Sequence, residues 1–465
     1  MNGSVTWEAF TKKIKLLAIK SLHYLLTIAL FCIAWTLFRY HGFYFMHDIG
    51  FRYNFFVVLG YAVILFFFNR TYNSYLLGYS RIRTLIFAQV LSQLFSVVIV
   101  YVIVTISWAQ IKNPLIFIPM LVVQLIIDVI WSCLSNEFFF KLNPAKRTIL
   151  IYRNSLDKKR FGTINGKPSE RLYKIADEVM YDGDFSGIVE VLDDYEAIFV
   201  AGVNSRCRNG ILKYCKERNI PGFFLPHVGD VIMQEAQHIQ AFDSPVLYVA
   251  RKVLNPEYVI VKRGFDILAS LLGIIVLSPL MAITAIAIKA YDGGPALYKQ
   301  VRLTKDGKEF KILKFRSMRV DAEKDGVARL STGENDDRIT PIGHVVRKCR
   351  LDELPQLFNI LHGDMSVVGP RPERPEIAEQ YYRTMPDFQL RLQVRAGLTG
   401  YAQVYGKYNT DPYEKLEFDL LYINSMSVLT DLRLMFATVG ILFSKESTEG
   451  VEVGTVTAMN YDPES

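Results

Sequence analysis

Long apolar runs dominate the first 140 residues of the chain, with charge pushed to their edges. Four stand out, at residues 16–38, 53–68, 85–108 and 114–134. Each extends to roughly 20 residues, the length a helix needs to cross ~30 Å of hydrocarbon, so the pattern predicts four transmembrane helices. Basic residues set their direction. Lys12, Lys13 and Lys15 precede the first run, Arg70, Arg81 and Arg83 separate the second from the third, and Lys141, Lys146 and Arg147 follow the fourth. The other two loops are poorer, with Arg39 and Arg52 in one and Lys112 in the other. Both ends of the bundle are therefore expected in the cytoplasm. No small-residue cleavage site follows the first run, which reads as an uncleaved span. Asp128 lies inside the fourth run, either as a functional intramembrane acid or as a group paired within the bundle.

The pattern then changes. Short β-rich runs at 148–152, 187–191, 197–203 and 246–249 alternate with polar or helical stretches such as 205–218. Such alternation predicts a doubly wound, Rossmann-like α/β domain. The first strand leads into Arg153-Asn154-Ser155-Leu156-Asp157, not GxGxxG, so the dinucleotide fingerprint is absent. The domain then serves packing or dimer contacts, or it binds a nucleotide without that loop.

A fifth apolar run at 267–290 is interrupted by Ser278-Pro279. Lys262 and Arg263 precede it, and cations from Lys299 to Arg316 follow it, so both of its ends are expected on the cytoplasmic face. Proline removes one helical hydrogen bond, and the serine before it can satisfy the freed carbonyl. The expectation is a helix–break–helix hinged at Ser278 and Pro279, which dips into one leaflet and returns; the competing reading is a kinked full span. The resulting plan is a four-helix transmembrane bundle (1–142), a Rossmann-like domain (143–250), a linker (251–262), and a re-entrant hairpin with a small α/β catalytic domain (263–465).

Composition narrows the classes. The 465 residues are 51% hydrophobic, which excludes a disordered chain, a collagen and an ordinary soluble enzyme. The formal charge of +7 points to anionic lipid or anionic substrates before nucleic acid, or it is the topology signal alone. The five cysteines form no CxxC and the seven histidines no HExxH, so a reducing compartment fits and zinc chemistry does not.

The polar last third carries the chemistry. Lys311-Ile312-Leu313-Lys314-Phe315-Arg316-Ser317-Met318 alternates like a strand bearing three cations. Asn335-Asp336-Asp337-Arg338-Ile339-Thr340-Pro341-Ile342-Gly343 follows, then Arg347-Lys348-Cys349-Arg350-Leu351-Asp352-Glu353-Leu354-Pro355-Gln356, then Gly363-Asp364-Met365-Ser366-Val367-Val368-Gly369-Pro370-Arg371-Pro372. A carboxylate pair ringed by Arg and Lys suits phosphoryl transfer: one carboxylate attacks phosphorus or holds a metal, and cations neutralise the phosphoryl oxygens. Pro355 belongs in a first helical turn, so a helix is expected to start near Asp352. Asp352 is assigned as nucleophile and Glu353 as ligand of Mg²⁺, with Asp352 able to share the ion. The bland alternative is a surface helix capped by an aspartate.

In this order, with Gly397-Leu398-Thr399-Gly400-Tyr401-Ala402-Gln403-Val404 after them, the motifs resemble the bacterial sugar transferase family, the monotopic phosphoglycosyl transferases. The likeness covers roughly residues 262–444. The spans and α/β domain ahead of it resemble the long-form members, the undecaprenyl-phosphate hexose-1-phosphate transferases. The resemblance implies a cytoplasmic-face enzyme of the bacterial inner membrane, acting in the first step of capsule, exopolysaccharide or O-antigen assembly. It implies attack of Asp352 on a UDP-sugar, release of UMP, a covalent phosphosugar adduct, and transfer to undecaprenyl phosphate. The family's other functional positions fall on Lys314, Arg347, Pro370, Arg371 and Asp431. Arg316 and Lys407 join them as candidate substrate contacts. Arg350 reads equally as a phosphate ligand or a structural ion pair. Departures from the family pattern are Ala396 where a Pro-Gly is common, Tyr401 for Trp, and Tyr405-Gly406-Lys407 for Asn-Gly-Arg; they touch nucleotide and sugar contacts rather than the chemistry. Membrane lipids and a second copy of the chain are the expected partners, and a non-catalytic membrane scaffold is the alternative function.

Overall fold

A computed structural model describes residues 2–40, 51–155, 157–158, 168–181, 183, 192–241, 244–250, 255–320, 322, 336, 338–406 and 411–442. Contacts divide it into two units, Met1–Leu225 and Pro226–Ser465.

The first unit begins with helices α1 (Asn2–Tyr40), α2 (Phe51–Thr71), α3 (Ile82–Trp108) and α4 (Phe117–Leu142). Each contains a stretch long and apolar enough, by length and composition, to cross a membrane. Their patterning is the inverse of a water-soluble helix. On α4, Gln124, Asp128, Ser132 and Asn136 share one face and are buried, while Val122, Ile126 and Ile130 are 51–54% exposed. Gln89, Ser92, Gln93 and Ser96 answer from the buried face of α3. Hydrocarbon offers polar atoms no partner, so they turn inward and bond to one another.

The rest of this unit is α/β: β1 (Lys146–Tyr152), β2 (Tyr173–Met180), β3 (Ala197–Ala201), α5 (Ser205–Arg218) and β4 (Gly222–Phe224). The strands pair in parallel in the order β2-β1-β3-β4. Asn204 opens α5 by accepting from the Cys207 amide at 2.9 Å, and Asn219 closes it in a left-handed conformation. β2 escaped the sequence reading because Lys174, Asp177 and Glu178 break its apolar pattern at the sheet edge. The strand expected at 187–191 lies outside the described residues.

The second unit opens with α6 (Val228–Met233) and the antiparallel pair β5 (Gln237–Ala241) and β6 (Ser244–Tyr248). The strand expected at 246–249 therefore forms, but not in the parallel sheet: β6 follows β5 too closely for the crossover that parallel neighbours require. Next come α7 (Pro256–Asp292), the antiparallel pair β7 (Leu297–Leu303) and β8 (Glu309–Phe315), α8 (Pro341–Lys348), α9 (Gln356–His362), β9 (Met365–Val368), α10 (Pro375–Thr384), β10 (Ala396–Thr399), α11 (Tyr401–Tyr405), α12 (Pro412–Asn424) and α13 (Val428–Leu442). β9 and β10 pair in parallel. Ile360, Met365, Val368, Phe388, Leu416 and Leu434 form the centre of the core.

The helical assignment of α7 continues from Pro256 to Asp292 with Pro279 inside it, at the place where the break is expected. The carbonyl that Pro279 cannot bond is that of Ile275, and the Ser278 hydroxyl donates to it at 2.9 Å. Both halves of α7 grip the same α/β body. In the first half, Asp266 accepts from the Val367 amide at 2.9 Å and the Ser366 hydroxyl at 3.0 Å, and Arg263 donates to the Ile360 and Leu361 carbonyls. In the second, Met281 and Ile288 pack with Phe315 and Val346, and Asp292 pairs with Arg316.

Candidate active site

Three segments converge on Glu353. β8 supplies Lys314, whose ammonium lies 3.6 Å from Glu353 Oε1. The stretch after β9 supplies Arg371, which donates to the same oxygen at 2.8 Å. The acids themselves sit on a single 3₁₀ turn, Leu351–Glu353, entered through Arg350 in a left-handed conformation with φ of 56°. This corrects the expected helix start. The α-helix begins only at Gln356 with Pro355 as its cap, so Asp352 is not an N-cap residue. In a 3₁₀ turn, neighbouring side chains diverge by ~120°, which separates the two acids at least as well as an α-helix would.

Each motif has a structural reason. Thr340 caps α8 by accepting from the Gly343 amide at 2.9 Å, with Pro341 in the first turn. A Cβ on Gly343 would come within 1.9 Å of the Ser317 carbonyl oxygen, so only glycine lets α8 approach the segment that follows β8 this closely. That seating puts Arg347 in the last turn of α8, where its charge reaches Asp352. On the other side, the Gly397 amide donates to the Pro370 carbonyl at 2.8 Å, which sets the residue before Arg371.

The electrostatics separate the two acids. Burial pushes the Asp352 carboxyl above the usual carboxylate range, and the neighbouring Glu353 charge pushes it further; Lys314, Arg347 and Arg350 oppose this without cancelling it. Burial also works to raise Glu353, but Arg371, Lys314 and Arg350 outweigh it and hold it well below that range. Burial lowers the Lys314 ammonium, with the Glu353 charge partly restoring it. The site thus keeps one carboxylate firmly ionised beside a second, more basic one.

Both acids are oxygen donors of the kind a hard divalent ion takes, with Glu353 already matched by Arg371 and Lys314. Among the described residues no group of three or more His, Cys, Asp or Glu could hold a metal by itself, so any ion here would complete its shell with water and substrate oxygens.

The remaining predicted residues divide. Arg350 interacts with both acids through its charge. Arg316 is buried and pairs with Asp292 at the end of α7, rather than with Glu353. Asp431 lies on α13 and accepts from Lys262 at 2.8 Å, from Tyr258 at 2.8 Å and from Tyr422 at 2.8 Å. Lys262 also donates to the Val368 carbonyl at 3.1 Å, so this group ties α7 to the strand that precedes Gly369-Pro370-Arg371. Ser278 and Pro279 lie within α7, and Lys407 lies outside the described residues.

Sequence reasoning missed a second set of residues behind Arg371. Arg391 donates to the Arg371 carbonyl at 2.7 Å and to Asp419 at 2.8 Å, with both partners of the ion pair almost fully buried. Burial pushes the Asp419 carboxyl up to about 6, against the pull of Arg391. Arg302 donates to the Pro372 carbonyl at 3.1 Å. An arginine and an aspartate 28 residues apart give no local signal; only the fold joins them.

Comparison with known proteins places residues 257–445 in a match to the family model described as bacterial sugar transferase. Over 188 residues the chain is 43% identical to a UDP-N-acetylgalactosamine-undecaprenyl-phosphate N-acetylgalactosaminephosphotransferase of Aeromonas hydrophila, covering 40% of this chain and 44% of that protein. Over 206 residues it is 42% identical to a UDP-glucose:undecaprenyl-phosphate glucose-1-phosphate transferase of Klebsiella pneumoniae, covering 43% of this chain and 42% of that protein. An exopolysaccharide production protein of Rhizobium leguminosarum bv. phaseoli is 42% identical over 189 residues and is covered over 94% of its length. The chain thus spans less than half the length of the first two relatives but nearly all of the third.

Proposed function

The chain belongs to the bacterial sugar transferase family, and we propose that it transfers a sugar 1-phosphate from a UDP-sugar to undecaprenyl phosphate, with release of UMP. The observation that carries this reading is the division of labour at the acidic turn. Glu353 is held ionised by Arg371 and Lys314, and the more basic Asp352 stands beside it.

The chemistry follows from that arrangement. An Asp352 carboxylate oxygen forms a bond to the sugar-proximal phosphorus of the UDP-sugar, and the bond from that phosphorus to the bridging oxygen breaks, so the electron pair leaves on UMP. The phosphosugar is then an acyl phosphate on Asp352. An oxygen of undecaprenyl phosphate attacks the same phosphorus and returns the Asp352 carboxylate. Arg347, Arg350 and Lys314 surround Asp352 with the positive charge that the phosphoryl oxygens need. Asp352 and Glu353 would hold Mg²⁺, which would supply further neutralisation of the diphosphate when bound.

The arrangement also fits a membrane substrate. α1–α4 act as four spans, the Rossmann-like sheet as a packing and dimer domain, and α7 as a re-entrant element that keeps the acidic turn on the cytoplasmic face of the inner membrane. The contact of both halves of α7 with one α/β body supports this, since a helix crossing the bilayer would carry its ends to opposite sides.

The test is release of UMP by the full chain in lipid nanodiscs with undecaprenyl phosphate, Mg²⁺ and, in turn, UDP-glucose, UDP-galactose and UDP-N-acetylgalactosamine. The expected result is UMP release with one of the donors and a matching diphosphate-linked lipid product. A nucleotide released without transfer to the lipid, or no release with any donor, would overturn the reading.

A further inference from the structure

The segment that carries Arg371 reads Gly369-Pro370-Arg371-Pro372-Glu373. Pro370 and Pro372 have no amide hydrogen, so neither can donate to a strand ladder, and the carbonyls become the handles by which the backbone is held. Each carbonyl from Pro370 to Glu373 is taken. That of Pro370 accepts from the Gly397 amide at 2.8 Å, and that of Glu373 from the Leu303 amide at 3.0 Å. Between them, the Arg371 carbonyl accepts from Arg391 at 2.7 Å and the Pro372 carbonyl from Arg302 at 3.1 Å. The Glu373 carboxylate stands between these two arginines, 3.7 Å from Arg391 and 3.9 Å from Arg302, and offsets their repulsion.

Arg391 is the unusual member. It is 3% exposed, its Nε donates to the buried Asp419 at 2.8 Å, and its guanidinium lies 4.7 Å from the centre of the Phe388 ring. A buried ion pair gains little over well-packed apolar side chains of the same volume. What an apolar side chain cannot do is donate to the Arg371 carbonyl. The guanidinium is a rigid planar fork. Asp419 fixes it along one edge and Phe388 across one face, so the Nη2 that reaches the carbonyl arrives from a single direction. The side chain of Arg371 is itself 41% exposed, where water competes for it. Its seat on Glu353 therefore depends on where its backbone starts.

We propose that Arg391, aimed by Asp419, is a positioning residue for the transfer reaction: it fixes the Arg371 backbone so that the Arg371 guanidinium stays on Glu353. The proposal rests on the function proposed above, in which Glu353 stays ionised beside Asp352. Arg391 acts through Arg371 and not on the reacting atoms. Its loss is thus felt only while Arg371 is there to be misplaced.

The experiment uses the full chain in lipid nanodiscs and compares kcat for wild type, Arg391→Lys, Arg371→Ala and the double variant. Lysine keeps the charge opposite Asp419 but ends one atom short of the guanidinium nitrogen that meets the Arg371 carbonyl. Arg391→Lys is expected to lower kcat ~10- to 100-fold, the scale on which small misplacements act. In the Arg371→Ala background the same change is expected to alter kcat by less than ~2-fold, because the two residues act as one unit. An equal loss in both backgrounds would reduce Arg391 to a structural residue and overturn the proposal. Asp419→Asn keeps the shape of the pair, removes its charge and is expected to show the same non-additivity at smaller size; it carries the test if Arg391→Lys does not fold. A second measurement needs no turnover. Phenylglyoxal modification of Arg371, followed by mass spectrometry on the substrate-free chain, is expected to run severalfold faster in Arg391→Lys and in Asp419→Asn than in wild type. Equal rates would overturn the positioning role whatever the enzyme's activity, whereas a wild type silent on every donor would count against the transfer reaction alone.

Discussion

Arg371 donates to Glu353 Oε1 at 2.8 Å while Lys314 stands 3.6 Å from that same oxygen. Two cations on one carboxylate oxygen make Glu353 an anchor of charge. Asp352, one residue earlier, feels Lys314, Arg347 and Arg350 through their charge, which suits the nucleophilic role proposed for it. Asp352→Asn is therefore expected to lower turnover by ~10³-fold or more while the protein still inserts and folds. Wild-type enzyme given a labelled UDP-sugar without lipid acceptor should retain label after denaturation, and Asp352→Asn should not. Label retained by the variant would show that another group is the nucleophile.

The elevated Asp352 carboxyl makes a pH signature. An acid whose pKa is raised is protonated, and inactive as a nucleophile, over a wider acidic range. The acid limb of kcat/KM is thus expected above the ordinary aspartate value of ~3.9, with activity lost as pH falls through it. Lys314 pulls that limb down, so Lys314→Met should move it to higher pH as well as slow the reaction. A limb that stayed put or moved to lower pH in Lys314→Met would remove Lys314 from the electrostatics of the site.

Much of this was legible in advance because it is local. The apolar runs mark the membrane-compatible helices, and the Ser278-Pro279 pair foretold the hydroxyl that serves the Ile275 carbonyl. The sequence marks the acidic pair but not its backbone: Pro355 points to the first turn of an α-helix holding Asp352, whereas Arg350 turns left-handed and the acids fall on a separate 3₁₀ turn. A positive φ at an arginine leaves no mark in a sequence. The run from Lys311 to Met318 alternates like one strand bearing Lys314 and Arg316 together. Yet β8 stops at Phe315, and beyond it Arg316 turns to Asp292. The Arg391–Asp419 pair was missed because its meaning depends on contacts that only tertiary structure creates.

Gly397 tests how tightly the loop bearing Arg371 is set. A Cβ there would stand 2.1 Å from the Gly369 amide nitrogen and 2.5 Å from its Cα, and backbone cannot swing aside as a side chain can. Gly397→Ala should force β9 and β10 apart, break the bond from the Gly397 amide to the Pro370 carbonyl, and shift Arg371 off Glu353. The expected result is a loss of ~3 kcal/mol or more in stability of the second unit, with activity falling further than stability alone explains. A variant with wild-type activity and stability would mean that the two strands tolerate a separation they are not seen to adopt.

The re-entrant reading of α7 rests on where its two ends are held, and topology labelling decides it. Lys262 bonds the Val368 carbonyl near one end, and Asp292 pairs with Arg316 at the other, so roughly 45 Å of helix begins and finishes on one α/β body. A span through ~30 Å of hydrocarbon would separate those anchors by a bilayer. Val261 and Tyr291 are both about half exposed and flank the apolar stretch. In a cysteine-free background, Val261→Cys and Tyr291→Cys should both resist a membrane-impermeant thiol reagent in intact cells, and both react once the cells are opened. Labelling of one position and not the other from outside would make α7 a true span and place the acidic turn on the opposite side from its entry.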